Sequence, residues 1–278
     1  MYELSVTASD GKKLRALHGD WLETNPFLTL ILPFGLRVDA ARTLCSLLAS
    51  EFNVVTWQGR SLCDQPPGPH ESGLTPEAHV RDMCSVLDAL GVRKTGVVGF
   101  CSGAGIALVA ATIEGSRIDR LALVCGEYML SPAVCPQSNF QREVDSLLPL
   151  AAEGINYAAA LCEKLAASRV RASSRTEFDD EVRMPFSSAA RLYRHGLNYL
   201  SYRGTDFMAL AGGVPHPTRL ISTDRDEQVS AASSQVIAAL LRNAEQHLVV
   251  PGDHYEILRG RNAVNDSIVE FFGGRGAA

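Results

Sequence analysis

Little in this sequence would tie it to a membrane, a nucleic acid or a disulfide framework. Its apolar runs do not exceed strand length, so no segment reads as a transmembrane span. The start Met1-Tyr2-Glu3-Leu4 lacks the basic and then apolar order of a secretory signal, and export is not expected. Basic residues are in deficit, with a formal net charge of -5 over 278 residues, which argues weakly against a nucleic-acid partner. None of the seven cysteines belongs to a C-x-x-C pair, and their odd number suits reduced thiols in a cytosol better than a zinc site or a set of disulfides. Internal repeats and low-complexity tracts are absent as well. What remains is 46% hydrophobic and 21% charged, the balance of an ordinary folded chain long enough to bury a large core.

Short β-type runs alternate with helical patterns from end to end, which predicts an α/β fold with a mainly parallel sheet and helices on both faces. Tyr2 to Thr7 and Lys13 to His18, separated by Ser9-Asp10-Gly11, read as an opening antiparallel hairpin. Phe27 to Leu32 and Asn53 to Trp57 read as further strands, with a helix between them that Asp39 is expected to cap. Thr75-Pro76-Glu77 supplies an N-cap, a proline in the first turn and an early acid, and Val80, Met83, Leu87 and Leu90 make the apolar stripe that follows. From Ser131 to Pro215 only helical stretches appear. Strands resume at Thr218 to Ser222 and His247 to Val250, with a helix between them and another at the end. These bounds divide the chain into a core of residues 1–130 and 216–278 and a helical insertion over 131–215.

Directly after the apolar run Thr95 to Val98 stands Gly99-Phe100-Cys101-Ser102-Gly103, followed by the apolar helix start Gly105 to Ala111. No Lys-Ser or Lys-Thr pair follows these glycines, so they do not form a P-loop. The stretch resembles the strand-to-helix elbow of the α/β-hydrolases, the G-x-S-x-G pattern, with cysteine in the usual place of serine. Residues two before and two after an elbow nucleophile must be small, because the turn is tight. Gly99 and Gly103 meet that demand around Cys101, whereas a nucleophilic Ser102 would set Phe100 against the turn.

Three further landmarks occur in family order. Leu30 to Leu36 resembles the strand ending in His-Gly-x, Pro217 to Ile221 with Asp226 resembles the acid-bearing strand, and Val249 to His254 resembles the histidine loop. The chain departs from the pattern at Phe34, where histidine is usual, at Thr223, where glycine is usual, and at Trp57-Gln58, where aspartate commonly ends the strand. The resemblance implies an α/β-hydrolase fold with an eight-stranded sheet and a helical lid at the insertion. It also implies Cys101 as nucleophile, His254 as base and Asp226 as the acid orienting it, with Asp224 as the competing acid and Glu127 as an outside candidate. Backbone amides of Leu36 and Ser102 would form the oxyanion hole.

A thiol attacks as thiolate, so the site must lower its pKa or supply a base, and both a helix start at Cys101 and an imidazole from His254 are expected to serve. Acylation of Cys101 would give a thioester, which keeps the reactivity of an incoming thioester and points to transfer. Size, cysteine elbow and helical insertion resemble the aminoacyl shuttle transferases of coronamic acid and syringomycin biosynthesis. That resemblance implies transfer of an acyl or aminoacyl group between phosphopantetheine thiols of carrier proteins, with no cofactor, metal, membrane or nucleic acid involved. The alternative is a thioesterase or a small ester or lactone hydrolase with the same three residues, since dienelactone hydrolase also uses a cysteine elbow. A third class, a binding protein or receptor on the hydrolase scaffold, conflicts with the joint presence of nucleophile, base and acid. Between Lys164 and Arg203 stand eight basic and four acidic residues, so Arg169, Arg171 and Arg175 could steer an acidic carrier, or could belong to a solvated helical surface. Tyr193, Tyr199, Tyr202 and Phe207 would line an acyl pocket or pack the insertion, and Glu127 is the carboxylate nominated for a substrate amino group.

Overall fold

The computed structural model describes residues 1–62, 64, 67, 73–169 and 177–273. One sheet runs through it, built from β1 (Tyr2–Thr7), β2 (Lys13–His18), β3 (Phe27–Ile31), β4 (Asn53–Trp57), β5 (Thr95–Phe100), β6 (Ile118–Val124), β7 (Thr218–Thr223) and β8 (Ala244–Val250). Their order across the sheet is β1-β2-β4-β3-β5-β6-β7-β8. The opening hairpin and the β2–β4 pair are antiparallel, and every other pair is parallel. The fold is therefore the mainly parallel eight-stranded sheet expected.

Strands β4 and β5 are buried along their whole length, which is why they read as unbroken apolar runs. Alternate residues serve opposite faces of the sheet. Val55 and Val97 join one cluster, packed by α2 (Pro76–Ala89), α3 (Ser102–Ile113) and α9 (Ala231–Leu240). Val54 and Val98 join the other, packed by α1 (Arg42–Leu48) and α10 (Ala263–Gly273). Helix α2 starts as its sequence demands. The Thr75 side chain accepts the Ala78 N–H, Pro76 opens the helix and Gly91 at φ 68° follows its end.

The expected cap at Asp39 is not formed. Residues Val38–Ala41 make a 3₁₀ turn with no side-chain cap, and the Asp39 carboxylate instead gathers Arg15, Arg37 and Arg42 at 2.6, 3.3 and 2.8 Å. Arg15 comes from β2, a partner that no local pattern around Asp39 announces.

Between β6 and β7 lie α4 (Asn139–Ala152), α5 (Ile155–Arg169), α6 (Asp179–Val182), α7 (Ala189–Arg203) and α8 (Phe207–Gly213), with no strand among the described residues. Helices α4, α5 and α7 share a small core of Leu148, Ala151, Ala158, Leu192 and Tyr199. A reciprocal Ser138–Gln141 capping box opens α4. Helix α8 belongs elsewhere, since Phe207 and Ala211 are buried in the main cluster on the α3 side of the sheet.

Candidate active site

Cys101 stands at the sharp turn between β5 and α3, at φ 54° and ψ -122°. Its neighbours show why the turn needs glycine on both sides. A Cβ on Gly99 would lie 2.6 Å from the Gly103 carbonyl oxygen, and one on Gly103 would lie 2.1 Å from that of Ile31 on β3. The Cys101 amide donates to the Val124 carbonyl at 2.9 Å and its carbonyl accepts from Ala104 at 3.0 Å, so the backbone holds the thiol at the mouth of the parallel strands. Ser102 is buried as the first residue of α3, and its hydroxyl accepts the Phe34 N–H at 3.3 Å.

The loop after β8 brings His254, 4% exposed, into contact with the ring of Phe100 at 5.0 Å between centroids. His254 Nδ1 meets Asp226 Oδ2 at 2.8 Å, while Asp226 Oδ1 accepts the N–H groups of Gln228 and Val229 at 2.8 and 2.9 Å. Asp224 has a different task, accepting the Gly252 N–H at 2.9 Å in the histidine loop. With Nδ1 committed to Asp226, Nε2 is the nitrogen left for chemistry. Cys101 and His254 line the same cavity, about 380 Å³ in volume, roofed by residues of α4, α6 and α7. Cys125, Asp226 and His254 also hold potential ligand atoms within 4.8 Å of one another, and two of these residues, His254 and Asp226, are already hydrogen-bonded to each other.

The thiol differs from the expectation that the helix start would lower its pKa. Burial pushes the Cys101 thiol up, the Glu127 and Asp226 carboxylates add to the rise, and the Ser102 N–H opposes it. Of the two amides expected at an oxyanion hole, that of Ser102 faces the sulfur. The Leu36 N–H is turned into its own loop, donating to the Pro33 carbonyl at 3.1 Å, and can meet an oxyanion only once that bond opens.

Glu127 is neither a surface group nor the partner of His254. It is 6% exposed and lines the cavity beside Cys101. Tyr199 lines the cavity too, whereas Tyr202 and Phe207 are buried in the core and Tyr193 packs among the inserted helices. His195 carries no role in the sequence reading, yet it lines the cavity, presses on Gly35 from α7 and has an Nδ1 without a hydrogen-bond partner. Burial lowers its pKa to about 4, so it is neutral at ordinary pH. Nothing in the local pattern around His195 distinguishes it, because its contact with the β3 loop spans the whole core.

Arg171, Arg175 and the side chain of Arg169 lie outside the described residues. Other cations of that segment are already engaged, Arg183 with Asp179 at 2.9 Å, Arg191 with Asp64 at 2.7 Å and Arg203 with Asp145 at 3.5 Å. Arg194 is fully buried and donates to the Arg60 carbonyl at 3.0 Å.

A family model of the α/β hydrolase fold matches residues 47–260. The chain belongs to the α/β-hydrolase fold family. This α/β-hydrolase is 27% identical over 256 residues to the L-allo-isoleucyltransferase of Pseudomonas savastanoi pv. glycinea, covering 88% of the chain and 86% of that relative. It is 25% identical over 231 residues to a putative carbamate hydrolase, RutD, of Caulobacter segnis, covering 82% and 84%. A hydrolase from Pseudomonas aeruginosa PA01 superposes with a TM-score of 0.74 at 22% identity over 98% of each chain. The enol-lactonase of Burkholderia xenovorans LB400 gives 0.73 at 18% identity over 97% of this chain and 100% of its own. The structural likenesses establish the fold, and the sequence relatives place this α/β-hydrolase among enzymes that include an aminoacyltransferase and a hydrolase. No helix among the described residues is long and apolar enough to cross a membrane.

Proposed function

We propose that this enzyme is an acyl or aminoacyl transferase that carries its cargo as a thioester on Cys101 between phosphopantetheine thiols of carrier proteins. The observation that carries the reading is an elbow thiol sharing a roofed cavity with the His254–Asp226 pair. The incoming group is a thioester carbonyl. As Cys101 Sγ bonds to that carbon, its proton passes to His254 Nε2, and the Asp226 carboxylate stabilises the imidazolium. The oxygen of the tetrahedral intermediate takes the Ser102 N–H and, after its turn opens, the Leu36 N–H. Collapse breaks the bond to the departing phosphopantetheine sulfur, which takes the proton from His254. The second half runs the same step backwards with a new carrier thiol. One thioester replaces another each time, so no cofactor is required and the balance is near even. Phosphopantetheine arrives on the partner as substrate.

A half-buried thiol whose pKa is held up suits this scheme, since His254 is then the base that makes the sulfur nucleophilic as it attacks. Cavity walls from the inserted helices cover part of the space around Cys101, and a seated substrate would fill the rest against water. Hydrolysis through the same residues is the second reading, favoured by the likeness to the putative carbamate hydrolase.

Intact-mass measurement on protein incubated with an aminoacyl-loaded carrier decides between them. We expect an adduct on Cys101 that passes to a second carrier, whereas prompt release of free acid would defeat transfer. Cys101→Ala should abolish loading, a loss of at least ~10³-fold, and Cys101→Ser should trap the acyl group or divert it to water.

A further inference from the structure

The cavity holds two carboxylates, and they are treated differently. Asp145 accepts from Gln137 Nε2 at 2.8 Å and from the Tyr199 hydroxyl, and it has Arg203 3.5 Å away as counter-charge. Glu127 is fixed more tightly and lacks such a partner. Its backbone N–H donates to the Cys101 carbonyl at 3.2 Å, and its own carbonyl accepts the Tyr202 hydroxyl at 2.5 Å. Its carboxylate oxygens accept the Met129 N–H at 2.8 Å and Gln141 Nε2 at 2.5 Å. Both of those donors are neutral. Among the described residues no lysine or arginine pairs with Glu127, although 94% of its surface is covered. A buried carboxylate with neutral donors alone is costly, and it is retained most readily where an arriving cation completes the set.

We infer that Glu127 binds the free α-ammonium group of the substrate, restricting the cargo of Cys101 to aminoacyl thioesters. The inference rests on Cys101 as the acylated residue and adds the substrate class to that reading. In a thioester on Cys101, the α-nitrogen lies one carbon from the carbonyl. The Glu127 backbone N–H is tied to the Cys101 carbonyl at 3.2 Å and both residues line one cavity, so the carboxylate and the acylated sulfur share the space into which that nitrogen projects. Met129, Val144 and Leu148 line the same cavity and offer apolar surface to the side chain. Burial raises the Glu127 pKa, with its two hydrogen bonds and His254 opposing, and a bound ammonium would favour the charged form.

The test compares the N-acetylcysteamine thioesters of valine and of 3-methylbutanoate, which differ only by the amino group. Acylation of Cys101 in the full chain should be on the order of 10–100-fold faster with valine, the span of one charge-assisted contact. Glu127→Gln should remove that preference, bringing the valyl and 3-methylbutanoyl rates to within ~3-fold of each other, since any effect of its charge on the thiol is common to both substrates and cancels in the ratio. Equal rates with both thioesters in the native enzyme, or equal slowing of both by Glu127→Gln, would overturn the inference and leave a structural role. A second measurement needs no chemistry. Calorimetry on Cys101→Ala protein should detect valinamide but not 3-methylbutanamide, and lose valinamide binding when Glu127→Gln is added. If neither thioester loads Cys101, the transferase reading fails while this calorimetric comparison still decides the ammonium site.

Discussion

At the scale of single residues, the site combines groups whose local spacing is informative with groups whose surroundings are not. The resemblance to the α/β-hydrolases implies Asp226 over Asp224, and in the structure His254 Nδ1 meets Asp226 while Asp224 secures Gly252. The state of the thiol could not be read that way. The helix start favours an anion, but burial and two nearby carboxylates outweigh one N–H. Glu127 presents the reverse balance between fold and function. Its folded pKa lies above the unfolded value because burial dominates, so its contribution to stability is complete below the unfolded value and is lost as pH rises through the folded one. Glu127→Gln should therefore melt no lower than the native protein near pH 8, and higher by a few degrees where the full cost of the charge is felt. The gap should close as the buffer is made acidic. A melting temperature that falls at all pH values would assign the side chain to scaffolding.

Elements were legible where a short-range rule sufficed. The opening hairpin, the Thr75-Pro76 helix start and the apolar run into the elbow each follow from residues within one turn or one strand. The Asp39 cap failed because Arg15 and Arg42 offer that carboxylate more than a helix amide does, and Arg15 lies 24 residues away. On the insertion, Arg191 and Arg203 pair with Asp64 and Asp145, contacts that local spacing does not announce, while the nominated Arg171, Arg175 and the Arg169 side chain lie outside the described residues. The short helices α6 and α8 carry too few turns to show a period. The elbow makes a prediction of its own. Gly103→Ala sets a methyl group 2.1 Å from the Ile31 carbonyl oxygen, backbone against backbone, so α3 must retreat from β3. We expect a loss near the upper end of the ~1–3 kcal/mol usual for overpacking, read as a lower urea midpoint. Gly212→Ala in α8 meets nothing within 4 Å and should be neutral or gain ~0.5–1 kcal/mol, which serves as the control.

Across the whole molecule, the sheet supplies a rigid floor and the inserted helices supply the roof. Cys101, Asp226 and His254 come from three loops at the same ends of the parallel strands, a convergence that strand order imposes once the fold is known. The roof was legible only as helical. Its contacts with the β3 loop through Pro185 and His195, and its gift of Gln141 to Glu127, depend on packing across more than a hundred residues in the first case and on a folded loop in the second. A chamber of about 380 Å³ with one thiol at its base also dictates traffic. In the transfer proposed above, two pantetheine arms could not reach that atom together, so the donor would have to depart before the acceptor enters. Initial-rate plots at several acceptor concentrations should run parallel, and excess acceptor should slow the reaction by queueing at the empty enzyme, whereas intersecting lines would mean that both carriers are seated at once.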